Sequence, residues 1–373
     1  MRVLIVMAVP PLLEGGAPGR CAVGLMRGLA EHGVDAHAVA AAQYHSGPLP
    51  PGLDVELVRL ERPESAPQPH RSPRLRRPLD NVATHLLAQR VRELAPDFDL
   101  VHLDQAETGA CAVDGSMPSL LHIHYRIRLD RPLGPPWRRS FHWHLARARA
   151  EAEVVRRQRY LLASSPVVAA SLRAANPGKE VAEAPLCLDA DYYPAASLDG
   201  PPTAGLIGSG TWQPTAAAMS RFASRVWPQV LRIAPDARSL IAGRNTASLP
   251  NPAAPGLEYV GEVPSAAEFL RSLSVLLFPL TRGSGMKVKV LEALASGVPV
   301  VTTPAGAEGV DAGDGIVVAE SDEQLARAAA SILLDDAERR ERGAAARNAF
   351  LARYASGPAT LPIVRFYERM LAG

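Results

Sequence analysis

The chain has 373 residues, of which 47% are hydrophobic and 21% charged, and its formal net charge is +2. This composition is that of a globular protein with room for two domains. The small net charge excludes a general attraction to nucleic acid, and no apolar stretch is long enough to span a membrane.

In the first half of the chain, short apolar runs alternate with helical stretches. The runs that predict strands are residues 2–8, 34–41, 53–60, 99–104, 119–125 and 160–165. Helices are expected before Gly33, before Leu94 and over 137–158, whereas the proline- and arginine-rich residues 61–78 predict a loop. Pro10 and Pro11 break the first apolar run, which favours a strand over a signal peptide.

The same alternation starts again after residues 188–203, which have the composition of a linker. Strands are expected over 204–209, 237–243, 257–263, 274–280 and 297–303. Helices are expected over 214–233 and within 322–371.

Strand–helix alternation of this kind predicts an α/β protein with two doubly wound parallel sheets. We expect one Rossmann-like domain over 1–190 and a second over 191–356, with a last helix near 357–373 that packs back on the first. A cleft between the two, at the carboxyl ends of the strands, is the expected ligand site.

Positive charge is concentrated in two regions. Residues 59–92 contain eight arginines against three acids, and residues 126–159 contain ten against three. Two interpretations are open, a solvated face or a docking face for an anionic substrate or a membrane surface.

The three cysteines, Cys21, Cys111 and Cys187, are widely spaced and match no metal-binding pattern. We therefore expect them to be reduced and mostly buried in a cytosolic protein. No Asp-x-Asp metal motif lies in a suitable loop, so no metal site is predicted.

Only three of the 40 basic residues are lysines, and two of these lie in the stretch "GSGMKVKVLEALASG" over 283–297. Ser284 is expected to cap a helix there, with the backbone N–H groups of Gly285, Met286 and Lys287 pointing outward. A cation at a helix start is unfavourable by about 0.3–1 kcal/mol. With Arg282 next to it and no acid nearby, Lys287 therefore indicates a bound anion such as a diphosphate.

Lys289 lies on a different face of the predicted helix from Lys287, and on the same face as Glu292. One interpretation is a surface ion pair, worth about 0.2–0.5 kcal/mol. The other is that Lys289 orients Glu292, whose carboxylate would accept both hydroxyls of a ribose.

The segment "GSGMKVKVLEALASGVPVVTTPAGAEGV" resembles the donor site of glycosyltransferase family 4, which comprises retaining enzymes of the GT-B fold. The similarity extends to Gly15–Gly16 after the first strand, to "LHIHY" and to "GSGTWQPTAAAMSRFASRVWPQV", and so covers most of the chain. It implies an acceptor-binding first domain and a second domain that binds a nucleotide sugar.

The resemblance assigns roles to residues of the second domain. Glu292 matches the second glutamate of the family's donor motif, which binds the ribose, while the first glutamate, which touches the donor sugar, is replaced by Ser284. The loop that contains Gly210 lacks the Arg and Lys that grip the diphosphate in the family. Arg282 and Lys287 are our candidates for that charge.

Other roles follow from the same resemblance. His124 matches a histidine near the reacting sugar, which its place at the carboxyl end of a strand favours, and the alternative is a buried histidine like His102 and His122. Gly15 and Gly16 would let the backbone approach a phosphate or the acceptor, or serve only as turn residues. The backbone at Gly261–Val263, including Val263 itself, would contact the base.

We therefore predict a metal-independent retaining glycosyltransferase without a cofactor, using a UDP- or GDP-linked sugar and a hydroxyl of a small-molecule, natural-product or cell-envelope acceptor. Three alternatives stay open: a pseudo-glycosyltransferase, a sugar-nucleotide epimerase, and a silent nucleotide-binding partner of another transferase. We expect a cytoplasmic monomer or homodimer, with peripheral membrane contact as an open question.

Overall fold

A computed structural model of the chain describes residues 1–14, 16–42, 47–59, 82–113, 117–130, 134–249 and 254–373. The chain divides into a first unit, Met1–Pro185 with Thr360–Gly373, and a second unit, Leu186–Ala359. The loop predicted over 61–78 and Gly15 lie outside the described residues. Within the described ranges, no helix combines the length and the apolar character that a membrane crossing requires.

The first unit contains a seven-stranded parallel sheet in the order β3-β2-β1-β4-β5-β6-β7. Its strands are β1 (Arg2–Met7), β2 (Asp35–Ala41), β3 (Val55–Val58), β4 (Leu100–Asp104), β5 (Ser119–Ile123), β6 (Tyr160–Ala163) and β7 (Glu180–Glu183). Its helices are α1 (Ala17–Glu31), α2 (Val82–Leu94), α3 (Ile127–Asp130), α4 (Arg139–Arg157) and α5 (Pro166–Ala175).

The second unit contains a six-stranded parallel sheet in the order β10-β9-β8-β11-β12-β13. Its strands are β8 (Thr203–Ile207), β9 (Arg238–Ala242), β10 (Leu257–Gly261), β11 (Val275–Phe278), β12 (Val300–Thr302) and β13 (Ile316–Val318). The helices of the second unit are α6 (Gln213–Arg221), α7 (Trp227–Ile233), α8 (Ala266–Arg271), α9 (Val288–Ala295), α10 (Asp322–Leu334) and α11 (Asp336–Arg353). The last helix, α12 (Ser356–Ala372), begins in the second unit and belongs to the first unit from Thr360 onward.

The central strands are apolar because helices cover both faces of a parallel sheet. Val3 to Met7 on β1 are completely buried, as are Val275 to Leu277 on β11. Cys21, Cys111 and Cys187 are buried and form no disulfide, as predicted. The prediction of two doubly wound parallel sheets is therefore confirmed.

The helix expected over 214–233 is interrupted. α6 and α7 are joined by a π-helical turn, Phe222–Val226. Pro228 has no N–H to donate to the carbonyl four residues earlier, and its ring crowds that carbonyl, so the wider turn relieves the clash. Sequence analysis also missed α5 and the short edge strands β7 and β13.

Candidate functional site

The lysine stretch follows β11 and leads into α9, whose first residue is Val288. Lys287 is the N-cap residue, with an extended backbone, and no side chain at that position caps the helix. The prediction that Ser284 caps the helix is therefore wrong. Gly283 and Gly285 have φ angles of 144° and 74°, so the backbone turns there and the helix starts four residues beyond Ser284.

Lys287 is next to an acid that sequence analysis did not foresee. Glu308, in the loop after β12, accepts the N–H of Gly285 at 2.8 Å, and its other oxygen lies 3.8 Å from the Lys287 amine. Both side chains are largely buried, with exposures of 12% for Lys287 and 8% for Glu308. The expectation of no acid near Lys287 is therefore wrong, and the N–H of Gly285 is not free for a ligand.

The Lys287 amine also donates to the carbonyls of Gly283, at 3.4 Å, and Gly285. These contacts, together with Glu308, tie the lysine to its own loop. The positive charge that the sequence assigned to a bound anion is thus balanced inside the protein.

Lys289 has a different environment. Its amine lies 3.4 Å from Thr215 Oγ1 and 4.7 Å from the centroid of the Phe278 ring. In the described part of the chain no carboxylate oxygen lies within 4.0 Å of it, so the ion pair with Glu292, one of the two interpretations of the sequence, is absent. Desolvation lowers the pKa of Lys289 to about 8, with Glu292 opposing the shift and Lys287 adding to it.

The Lys289 side chain lies beside the loop that follows β8. A Cβ atom on Gly208 would approach the Lys289 Cε to 3.2 Å and the Thr215 methyl group to 2.7 Å. Trp212, the residue before α6, provides no side-chain cap for that helix. Lys289 thus places a half-buried amine near the start of α6.

Gly210, which lies in the same loop, has a packing role. A Cβ atom there would come within 2.4 Å of the Asn245 carbonyl oxygen, and the Gly210 N–H donates to the Arg244 carbonyl at 2.8 Å. Gly210 therefore lets the loop after β8 pack directly against the loop after β9.

Glu292 is 2% exposed, on α9. The hydroxyl of Tyr193 donates to its Oε1 at 2.9 Å. Tyr193 is itself 1% exposed and lies in the segment that the sequence suggested was only a linker. Tyr193, and not Lys289, therefore orients this carboxylate, and a linker-like composition offered no signal for it.

The other predicted residues of the second unit occupy varied environments. Arg282 is exposed, Met286 is buried with its sulfur accepting the N–H of Leu186 at 3.2 Å, and Val263 is half-buried after β10. Gly261 has a φ of 73°, and its carbonyl accepts the N–H of Gly243 at 2.6 Å. Met286 therefore has a packing environment, whereas Arg282 is accessible.

In the first unit, His124 directly follows β5 and its side chain is 11% exposed. Its Nε2 lies 2.9 Å from Oδ1 of Asp104, the last residue of β4. Burial by itself would raise the pKa of Asp104, but the nearby histidines, His124 foremost, lower it well below the ordinary value. Asp104 therefore orients His124, and only the pairing of β4 with β5 brings the two together.

Gly16, the other predicted residue of the first unit that the structure describes, precedes α1 with an extended backbone.

The basic region 126–159 is not uniformly solvated. Arg126 forms a buried ion pair with Glu151, whereas Arg138 and Arg139 are exposed at the start of α4. Trp137 and Trp143 are 82% and 55% exposed. We call the exposed residues at the start of α4 the α4 patch, which consists of Trp137, Arg138, Arg139 and Trp143.

Comparisons with known proteins bear on the family and the fold. Residues 201–335 match the family model described as Glycosyl transferases group 1. None of the curated proteins matches the sequence significantly.

Three solved structures are similar to this chain over nearly its full length. HepE from Anabaena, in complex with UDP and glucose, has a TM-score of 0.65 and 12% identity, covering 98% of this chain and 99% of that chain. A glycosyltransferase from Rickettsia africae has a TM-score of 0.61 and 12% identity, covering 99% of each chain. The N-terminal domain of trehalose-6-phosphate phosphatase from Candida albicans has a TM-score of 0.67 and 10% identity, covering 99% and 97%.

At these identities the likeness shows the fold, and that fold is GT-B. Together with the sequence match over 201–335, it supports the predicted enzyme class, a glycosyltransferase.

Proposed function

We propose that this protein is a retaining, metal-independent glycosyltransferase that takes its sugar from a nucleotide-diphosphate donor bound to the second unit. The observation that carries the proposal is that the Lys289 amine has no carboxylate oxygen within 4.0 Å among the described residues. A half-buried ammonium that lacks a carboxylate partner is costly unless an anion joins it. A diphosphate near the start of α6 would supply that anion and would also suit the positive end of the helix dipole.

The lysine assignment therefore changes from the one that the sequence suggested. Lys287 is balanced by Glu308 and by loop carbonyls, so we assign it to holding the loop before α9. Lys289 takes over the diphosphate contact, with Arg282 as an accessible second cation. A cation in a water-poor site would stabilise the charge that develops on the departing diphosphate.

The nucleoside would be held by groups that the resemblance identifies. Glu292, which Tyr193 orients, would accept the ribose hydroxyls. The turn at Gly261–Val263 would contact the base through its backbone. HepE and this chain share the fold, and the HepE structure contains UDP and glucose, which makes UDP-glucose the first donor to test.

The first unit would bind the acceptor. There His124, oriented by Asp104, is the proposed contact to the reacting sugar. The exposed arginines of the α4 patch favour an acceptor with an anionic group, either a small molecule or a component of the cell envelope. Tryptophans beside arginines are also typical of surfaces that touch a membrane interface.

A donor panel tests this proposal. UDP-, GDP-, ADP- and dTDP-glucose would each be added to the purified protein, and the melting temperature and nucleotide release would be measured. A ligand at 100 times its dissociation constant stabilises the folded state by about 2.7 kcal/mol. Lys289→Met should abolish the shift that the best donor produces, while Lys179→Met, a lysine of the first unit, should not. A panel without any stabilising donor would contradict the proposal.

A silent nucleotide-binding partner of another transferase is the second candidate. The observation that favours it is Ser284, which stands where the family has its sugar-binding glutamate. Donor binding with no transfer or hydrolysis, over a broad acceptor panel, would support this alternative.

A further inference from the structure

Three ionisable side chains cluster on one face of the first unit's sheet. His102 and Asp104 are two residues apart on β4, so they point to the same face. Asp104 pairs in register with His122 on β5, which adds the second imidazole. All three are buried, with exposures of 0%, 4% and 3% in that order.

Three of the four ring nitrogens in this cluster lack hydrogen bonds within the described residues. Within the described residues, His102 Nε2 and both ring nitrogens of His122 have no hydrogen-bond partner. A buried polar group left in this state costs about 1–3 kcal/mol, and such groups call for a bound water or ion. A neutral imidazole has one unprotonated ring nitrogen, which can coordinate a metal ion.

We propose that His102, Asp104 and His122 bind a divalent transition-metal ion, with zinc as the best match. One donor atom from each residue can be chosen so that all lie within 4.8 Å of one another. Zinc–ligand bonds of about 2.0–2.2 Å place tetrahedral ligands about 3.4 Å apart. The set therefore needs side-chain movements of about 1 Å to close on the ion. Two imidazoles and a carboxylate favour zinc over magnesium or calcium, which prefer oxygen ligands.

Neighbouring groups support these ligands in the way that metal sites require. His102 Nδ1 contacts the hydroxyl of Tyr367 on α12, which would leave Nε2 free for the ion. His124 Nε2 lies 2.9 Å from Oδ1 of Asp104, and the second carboxylate oxygen of Asp104 could coordinate the ion. The His124 ring centroid is 4.4 Å from that of His122. The His124 side chain is partly exposed, so an ion could reach the cluster from solvent by passing beside it.

The expected role is structural, because the ion would join β4 and β5 and, through Tyr367, α12. This role does not depend on the donor site of the second unit. A failed donor panel would therefore leave the metal proposal intact. A failed metal titration would likewise leave the proposed donor site intact.

The test is metal binding by the full-length protein after dialysis against EDTA. Zinc and cobalt would be titrated separately, with the bound metal, the cobalt visible absorption and the melting temperature measured. We expect one ion per chain, a rise in melting temperature of several degrees and a cobalt spectrum of nitrogen and oxygen ligands. His122→Gln should lower the metal affinity at least 100-fold, while His85→Gln, an exposed histidine on α2, should leave it unchanged.

Two results would overturn the proposal. One is wild-type protein that binds no zinc in this titration, which would mean that water satisfies the buried nitrogens. The other is full affinity in folded His122→Gln. If His122→Gln does not fold, zinc X-ray absorption of the wild type decides, because it distinguishes two imidazoles from surface or thiolate ligands.

Discussion

Donor binding should weaken as the pH rises through the pKa of Lys289. In the free protein desolvation lowers that pKa from 10.5 to about 8. The other charged groups that act on it are Glu292, which opposes the shift, and Lys287, which adds to it. A diphosphate beside the amine favours the ammonium form, so the bound-state pKa returns toward its ordinary value.

The size of the effect follows from these two states. With a pKa of about 8, the free protein carries the Lys289 ammonium in about 90% of molecules at pH 7 and about 10% at pH 9. The bound protein keeps its proton over this range. The donor dissociation constant should therefore increase about tenfold from pH 7 to pH 9, which corresponds to about 1.4 kcal/mol.

Isothermal titration calorimetry of the best donor from the panel would measure this dependence. At pH 8 binding should take up about half a proton per site, which appears as a dependence of the heat on the buffer's ionisation enthalpy. Lys289→Arg keeps its charge at pH 9, so its donor dissociation constant should not change between pH 7 and pH 9. Lys289→Met has no charge to lose, so its dissociation constant should also be independent of pH, but larger than that of the wild type. A constant wild-type dissociation constant between pH 7 and pH 9 would refute the assignment of the diphosphate to Lys289.

Three further predictions follow from individual contacts. Tyr193→Phe removes the hydroxyl that orients Glu292, so calorimetry should show donor affinity reduced by about 1–2 kcal/mol in a folded protein, and an unchanged affinity would remove that contact from the donor site. Lys287→Ala leaves the Glu308 carboxylate without its cation, so chemical unfolding should show a loss of about 1–3 kcal/mol in the absence of donor, whereas equal or greater stability would restore the anion-site interpretation of Lys287. Charge reversal of the Arg138–Arg139 pair should raise the acceptor Michaelis constant at low salt with little effect on donor affinity, and unaltered acceptor kinetics would show that the α4 patch is only a solvated face.

The sequence by itself determined the α/β class and the two parallel sheets. Apolar runs such as 2–8 and 274–280 are local patterns, and a strand covered on both faces must be apolar throughout. The glycine-rich turn before α9 and the carboxylate at Glu292 are likewise visible in one short segment.

Only the tertiary structure decided which charges are balanced. Glu308 reaches Lys287 because β12 carries the chain back past the start of α9, and Tyr193 reaches Glu292 from a segment that looks like a linker. Asp104 meets His124 because β4 and β5 are neighbours in the sheet. A local pattern indicates which residue types are present, but the pairing of charges depends on contacts between residues far apart in the chain. For that reason the sequence pointed to Lys287 as the anion-binding lysine, whereas Glu308 balances Lys287 in the structure and we propose Lys289 for that role.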